Sequence, residues 1–257
     1  MKINLSIALL LFSLLVMSQT KRDIFLRDSI IKPINYKQVT NKKIYDKTYD
    51  LLKKTDTEFG YEKDIHLKIL EFSYFHNDLD NFKKDLLVLV KNYGFKIDYL
   101  TTNENYYNDL MNGKLSNWFK KMYLKNHLKW VENNFDKLND IRVLNEINIK
   151  DQTLAKLSNV MIDVNLNQSD SIKIYNVIQR LNTENLQLIH KISEKSNCFV
   201  LSKKFPIIQN NLNSAIIHNF QMNIDDSWNL LYPYIKAAYK NNEIDSVIFQ
   251  NDDFYRY

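Results

Sequence analysis

The sequence predicts an all-α protein, with stacked helical hairpins of tetratricopeptide-like layout followed by a C-terminal helical bundle. Three observations carry that expectation. The 257 residues include only three Gly and three Pro, too few for an all-β chain, which needs turn residues about every ten positions. Apolar residues recur at helical spacing over most of the chain. Apolar residues make up 45% and charged residues 25%, the range of chains that bury a core.

Residues 1–18 have the layout of a signal peptide. Lys2 supplies a positive start, Ile3 to Met17 is an apolar run broken by Asn4, Ser6 and Ser13, and Val16-Met17-Ser18 puts modest side chains before a cut at Gln19. The run is shorter than the roughly 20 apolar residues that span a bilayer. The expectation is therefore export to the periplasm or the exterior, with no membrane span once the leader is removed.

Residues 19–42 read as a loosely ordered lead-in, because Pro33 biases Lys32 away from helix. Residues 43–138 read as the tetratricopeptide-like region. Its first helix places Tyr45, Tyr49 and Leu52 on one face. Its clearest unit runs from Tyr61 to Gly94. Ile65, Ile69 and Phe72 share a face, and the helix ends near His76-Asn77. Asp78 or Asp80 then caps a second helix by accepting backbone N–H bonds. Phe82, Leu86, Leu89, Val90 and Tyr93 form the apolar side of that helix, and Gly94 falls where a left-handed residue closes it. A hairpin of this kind needs further helices to cover it. Asn103 to Met111 forms a short helix stopped by Gly113. Leu124, Leu128, Val131, Phe135 and Leu138 follow at 4-3-4-3 spacing, with Trp118, Phe119, Tyr123 and Trp130 widening a face expected to be buried. The pattern is too short for a coiled coil.

Residues 139–257 read as the C-terminal helical domain. A helix over 140–164 carries Ile141, Leu144, Leu154, Leu157 and Met161, and another covers 169–181. A third is capped by Asn182 or Thr183 and turns Leu186, Ile189 and Ile192 inward. The next has Pro206 in its first turn and contains Ile216 and Ile217. The last is opened by Asp225 or Asp226 and puts Trp228, Leu231, Ile235 and Tyr239 on one side, with Pro233 set to kink it.

The net charge of +5 arises from 35 basic and 30 acidic residues scattered among one another. A nucleic-acid partner, which favours a one-sided basic stripe, is not expected. The chain lacks a phosphate-binding glycine loop, a His-Glu-x-x-His motif, paired cysteines and a Gly-x-Ser-x-Gly elbow, so no cofactor and no metal are expected. Cys198 has no second cysteine to pair with. Its neighbours Phe199, Val200 and Leu201 mark it as a small buried residue rather than a nucleophile served by His190 or His218. Asp78-x-Asp80 and Asp252-Asp253 read as a helix cap and a solvated tail. His66, His76, His127 and His190 show no ligand spacing.

Asp151-Gln152, Asn185 before Leu188-Ile189, Ala215-Ile216-Ile217-His218, Leu231-x-Pro233-x-Ile235-Lys236-Ala237-Ala238 and Glu243-Ile244 come in an order that resembles a family of uncharacterised helical domains. The pattern of that family is an Asp-Gln-x-x-Arg helix, an Asn-led helix closed by Gly, an aliphatic-Gln-His helix, a Pro-containing helix ending in Gly-Glu-Ile, and a late Asp-Arg. Tetratricopeptide-like helix pairs precede it in many members. This chain has Ala155 in place of the Arg, Asn197 in place of the Gly and Ile217 in place of the Gln, and Asp253 and Arg256 match the last motif loosely. The resemblance implies an architecture and no reaction.

Two functional expectations follow. The first is an exported module whose stacked helices present a surface to a protein or peptide. The alternative is a hydrolase-type enzyme built on Asp151, Gln152, Asn185 and His218, in which a His–carboxylate pair acts as general base. An enzyme would bring the four side chains to one open pocket, whereas a scaffold would leave them apart or buried.

Overall fold

The computed structural model describes residues 21–100, 104–164, 167–208, 212–222 and 224–244. The expected leader, Asp252, Asp253 and Arg256 lie outside the described residues, as do the side chains of Met161 and Trp228. The chain is all-α. Among the described residues the only β-type pairing is a single bridge between Ser202 and Ile244. No described helix is long and apolar enough to cross a membrane.

The lead-in is helical rather than loose. Helices α1 (Lys21–Phe25) and α2 (Lys32–Asn35) flank a π-helical turn, Leu26–Ile31. Leu26, Ile30, Ile31 and Ile34 are buried, and their burial outweighs the local bias that Pro33 imposes on Lys32. Pro33 itself sits in the first turn of α2, directly after the π-helical turn, whose last bond is donated by the Lys32 N–H to the Arg27 carbonyl.

Helix α3 (Lys42–Phe59) is capped by Asn41, whose side chain accepts from the backbone N–H groups of Lys43 and Ile44. The hairpin forms as its sequence dictates. Helix α4 (Lys63–Phe75) ends at His76, Asp78 caps α5 (Leu79–Tyr93) through the Asn81 N–H, and Gly94 closes α5 at φ +60°. Helix α5 packs between α4 and α7 (Ser116–Asn133), and α6 (Glu104–Met111) covers α7. The expected buried face of α7 is rotated. Phe119, Met122 and Trp130 point inward, while Leu124 and Leu128 are 72% and 56% exposed, with Phe135 at 73% beyond the helix end. The aromatic side of the helix takes the core position because its larger side chains remove more apolar surface from water.

Helices α8 (Leu138–Asp163) and α9 (Gln168–Ser196) are long and adjacent, and α10 (Leu212–Met222) packs on both. Helix α11 (Ile224–Lys240) closes the bundle against α9 and α10. Helix α9 is continuous through the predicted break. Thr183 does not cap a new helix, because its hydroxyl donates to the Gln179 carbonyl one turn back, a bond compatible with the helix interior. Pro206 lies in the 199–208 loop rather than in a helix. On α8, Ile141, Leu144 and Leu154 are buried, but Leu157 is half exposed.

Two apolar cores result. One joins Leu70 of α4 with α5, α6 and α7. The other joins the lead-in, α3 and α4 to α8, α9, the 199–207 loop, α10 and α11. It runs across the boundary drawn between residues 138 and 139. In it, Leu231 and Ile235 are buried with Leu186, Ile189 and Ile192.

Candidate functional site

Helices α8, α9 and α10 meet around a pocket of about 180 Å³, lined by residues that include Asp151, Ser158, Asn182 and His218. Asp151 is buried. Its Oδ1 lies 2.7 Å from His218 Nδ1, and its Oδ2 accepts from Gln152 Nε2 at 3.1 Å. The carboxylate thus fixes the imidazole by one nitrogen and leaves Nε2 without a hydrogen-bond partner among the described residues. The His218 side chain is 34% exposed. The hydrogen bond to Asp151 raises its pKa above the ordinary 6.5, against the opposing pull of burial and with help from the Asp151 charge. Ser158 lines the pocket, but its hydroxyl donates to the Leu154 carbonyl at 3.0 Å. Ala155 is also in the lining.

A second concavity of about 400 Å³ lies between α8 and α9. Its walls are mainly apolar, with Ile149, Leu154, Leu157, Leu181 and Leu188, and Lys150 and Glu184 also line it. Leu154 is common to this groove and to the His218 pocket. Asn185 lines the groove rather than the pocket. It is buried, and its Nδ2 donor has no hydrogen-bond partner. Of the four candidate residues, Asp151, Gln152 and His218 are therefore linked, and Asn185 stands on the other side of Leu154.

The sequence missed Asn182 and Ser158 as pocket residues. Asn182 and Asn185 are three positions apart on one helix, yet Asn182 lines the pocket and Asn185 the groove. Asn197, in place of the expected Gly, does what that Gly would do and ends α9 in the left-handed conformation at φ +46°, which Asn tolerates. Cys198 is half-buried, and burial pushes its thiol pKa up, which disfavours the reactive thiolate.

Comparison with protein families, curated proteins and solved structures finds no match for the chain.

Proposed function

We propose that the chain is an exported peptide- or protein-binding module that takes its ligand in the groove between α8 and α9. Asn185 carries this reading. A buried amide donor without a partner costs about 1–3 kcal/mol, and a ligand carbonyl that wedged between α8 and α9 far enough to reach this covered donor would recover that cost. The apolar walls suit an aliphatic side chain beside that carbonyl, as in the docking of an amphipathic or extended peptide. Lys150 and Glu184 add one charge of each sign, so the groove favours a peptide of mixed charge.

Selection of a displayed peptide library on the purified chain tests this. The expected result is a consensus with an aliphatic anchor, whose affinity falls about tenfold in Asn185→Ala and further in Leu157→Lys. Failure to enrich any sequence, or peptides that bind Leu157→Lys undiminished, would overturn it.

The Asp151–His218 pair supports a second reading, a hydrolase. His218 Nε2 would take a proton from water as the water oxygen adds to a carbonyl carbon, then return that proton to the leaving group. Turnover across a panel of esters and amides should then vanish in His218→Ala. Turnover unchanged in that variant would end this reading.

A further inference from the structure

The exposed face of α7 carries charge and apolar surface that the fold does not use. Leu124 and Leu128, one turn apart, stand in solvent. Lys120, Lys121, Lys125 and Lys129 are exposed around them at helical spacing. Some exposed lysines have acidic partners, as in Lys173 with Asp170 and Lys204 with Glu243, and those without one, such as Lys43, Lys47, Lys54 and Lys91, are spread over other helices and do not surround a pair of exposed leucines. None of the four α7 lysines has an ion pair with a described residue. Glu132 is the only acidic residue on the helix. An unpaired basic cluster around protruding leucines destabilises the free protein slightly through mutual repulsion and keeps apolar surface in water.

We infer that this face of α7 docks on an anionic lipid surface, with the four lysines at the headgroups and Leu124 and Leu128 entering the apolar boundary. Clusters of four to eight basic residues on an amphipathic helix suit anionic membranes. A helical protein partner fits less well, because the exposed heptad pattern stops after two leucines and Val131 is half-buried. Nucleic acid gives the leucines no role, since phosphate contacts need only the charges.

Co-sedimentation of the purified chain with lipid vesicles tests the inference. Vesicles of equal parts phosphatidylcholine and phosphatidylglycerol should bind it at low salt, and high salt should release it. Phosphatidylcholine alone should bind it at least about tenfold more weakly. Changing Lys120, Lys121, Lys125 and Lys129 together to Gln should abolish binding. The same change at Lys43, Lys47, Lys54 and Lys91, exposed lysines on other helices, should preserve it. Leu124→Ser with Leu128→Ser should weaken binding about tenfold while leaving the melting temperature unchanged. Three outcomes would overturn the inference. One is equal binding to both vesicle types, and another is equal loss in both lysine variants. The third is self-association that the leucine changes abolish, which would assign the face to a second copy of the chain.

Discussion

His66 Nδ1 stands 3.0 Å from Asp85 Oδ2, while Asp56 Oδ2 closes on the opposite ring nitrogen at 2.7 Å. One imidazole therefore ties α3, α4 and α5 together. Tyr61 stacks on the ring with a 4.1 Å centroid separation, and Tyr49 donates to the same Asp85 oxygen at 2.7 Å. Burial is the strongest single influence on His66 and works against its charge. The two carboxylates together outweigh it and lift the pKa to about 9.

Stability should therefore depend on pH in the alkaline range. The folded-state pKa lies above the unfolded value near 6.5, so the stabilising contribution is complete below about pH 6.5 and lost as pH rises through about 9. Thermal melts across this range should show a falling midpoint. His66→Ala should remove most of that slope and cost on the order of 3–5 kcal/mol, because it leaves Asp85 buried without its counter-charge. An unchanged slope in the variant would assign the pH dependence elsewhere.

Arg22→Met should destabilise the protein by about 3 kcal/mol, the lower end for breaking a buried ion pair. Arg22 donates through Nε and Nη2 to Glu62 Oε1, and Lys203 Nζ also reaches that oxygen at 3.1 Å, so one counter-charge survives. Urea titration gives the difference. A change near zero would mean that the guanidinium adds nothing Lys203 does not already supply.

Gly94→Ala should be costly for two reasons. The left-handed φ of +60° costs a residue with a Cβ about 1–2 kcal/mol. The new carbon would also fall inside the van der Waals surface of the Trp130 ring. That ring is anchored by its Nε1 donating to the Pro206 carbonyl at 2.9 Å, and displacing it adds about 1–3 kcal/mol. A loss below about 1 kcal/mol would show that Trp130 moves freely.

Asp151→Asn should return the His218 pKa toward 6.5, because it removes the charge and puts a weaker, neutral amide oxygen in place of the carboxylate acceptor. Proton NMR of the ring hydrogens across pH reads this directly. In any turnover that uses His218 as a base, the acid limb of the pH profile should move down with it. An unshifted titration would show that the contact with Asp151 does not set the basicity of His218.

Leu231→Ala should cost about 2–5 kcal/mol, the range for a fully buried leucine. Leu231 is 0% exposed and shares the larger core with Leu186 and Ile189. Calorimetry that shows a loss under about 1 kcal/mol would mean α11 packs loosely.

Helix class and the α4–α5 hairpin were legible because their signals are local. A capping Asp78, a closing Gly94 and the spacing of Phe82, Leu86 and Leu89 each act within one or two turns. The facing of α7 was not legible. Two apolar sets, one aliphatic and one aromatic, share that helix, and only tertiary packing chooses between them. The helical lead-in escaped for the same reason, since its burial depends on α3 and on distant loops. The association of Asp151 with His218 could be named from the chain, whereas the separation of Asn185 required knowing that Leu154 stands between the pocket and the groove. His66 carried no sequence signal, because its two carboxylates come from other helices, at positions 56 and 85.

The Arg22 guanidinium also donates to the backbone carbonyl of Ile244, 222 positions along the chain. A contact that spans so much sequence has consequences for the order of events in biosynthesis. The α4–α5 hairpin can form soon after its residues emerge, but the larger core stays incomplete until the strand-like bridge at Ile244 exists. Long-range closure of this kind slows folding and leaves Leu26, Ile30 and Ile31 covered only in part, by α3, in the nascent chain. During synthesis the lead-in thus waits, partly apolar at its surface, until α11, the last described helix, and Ile244 have been made.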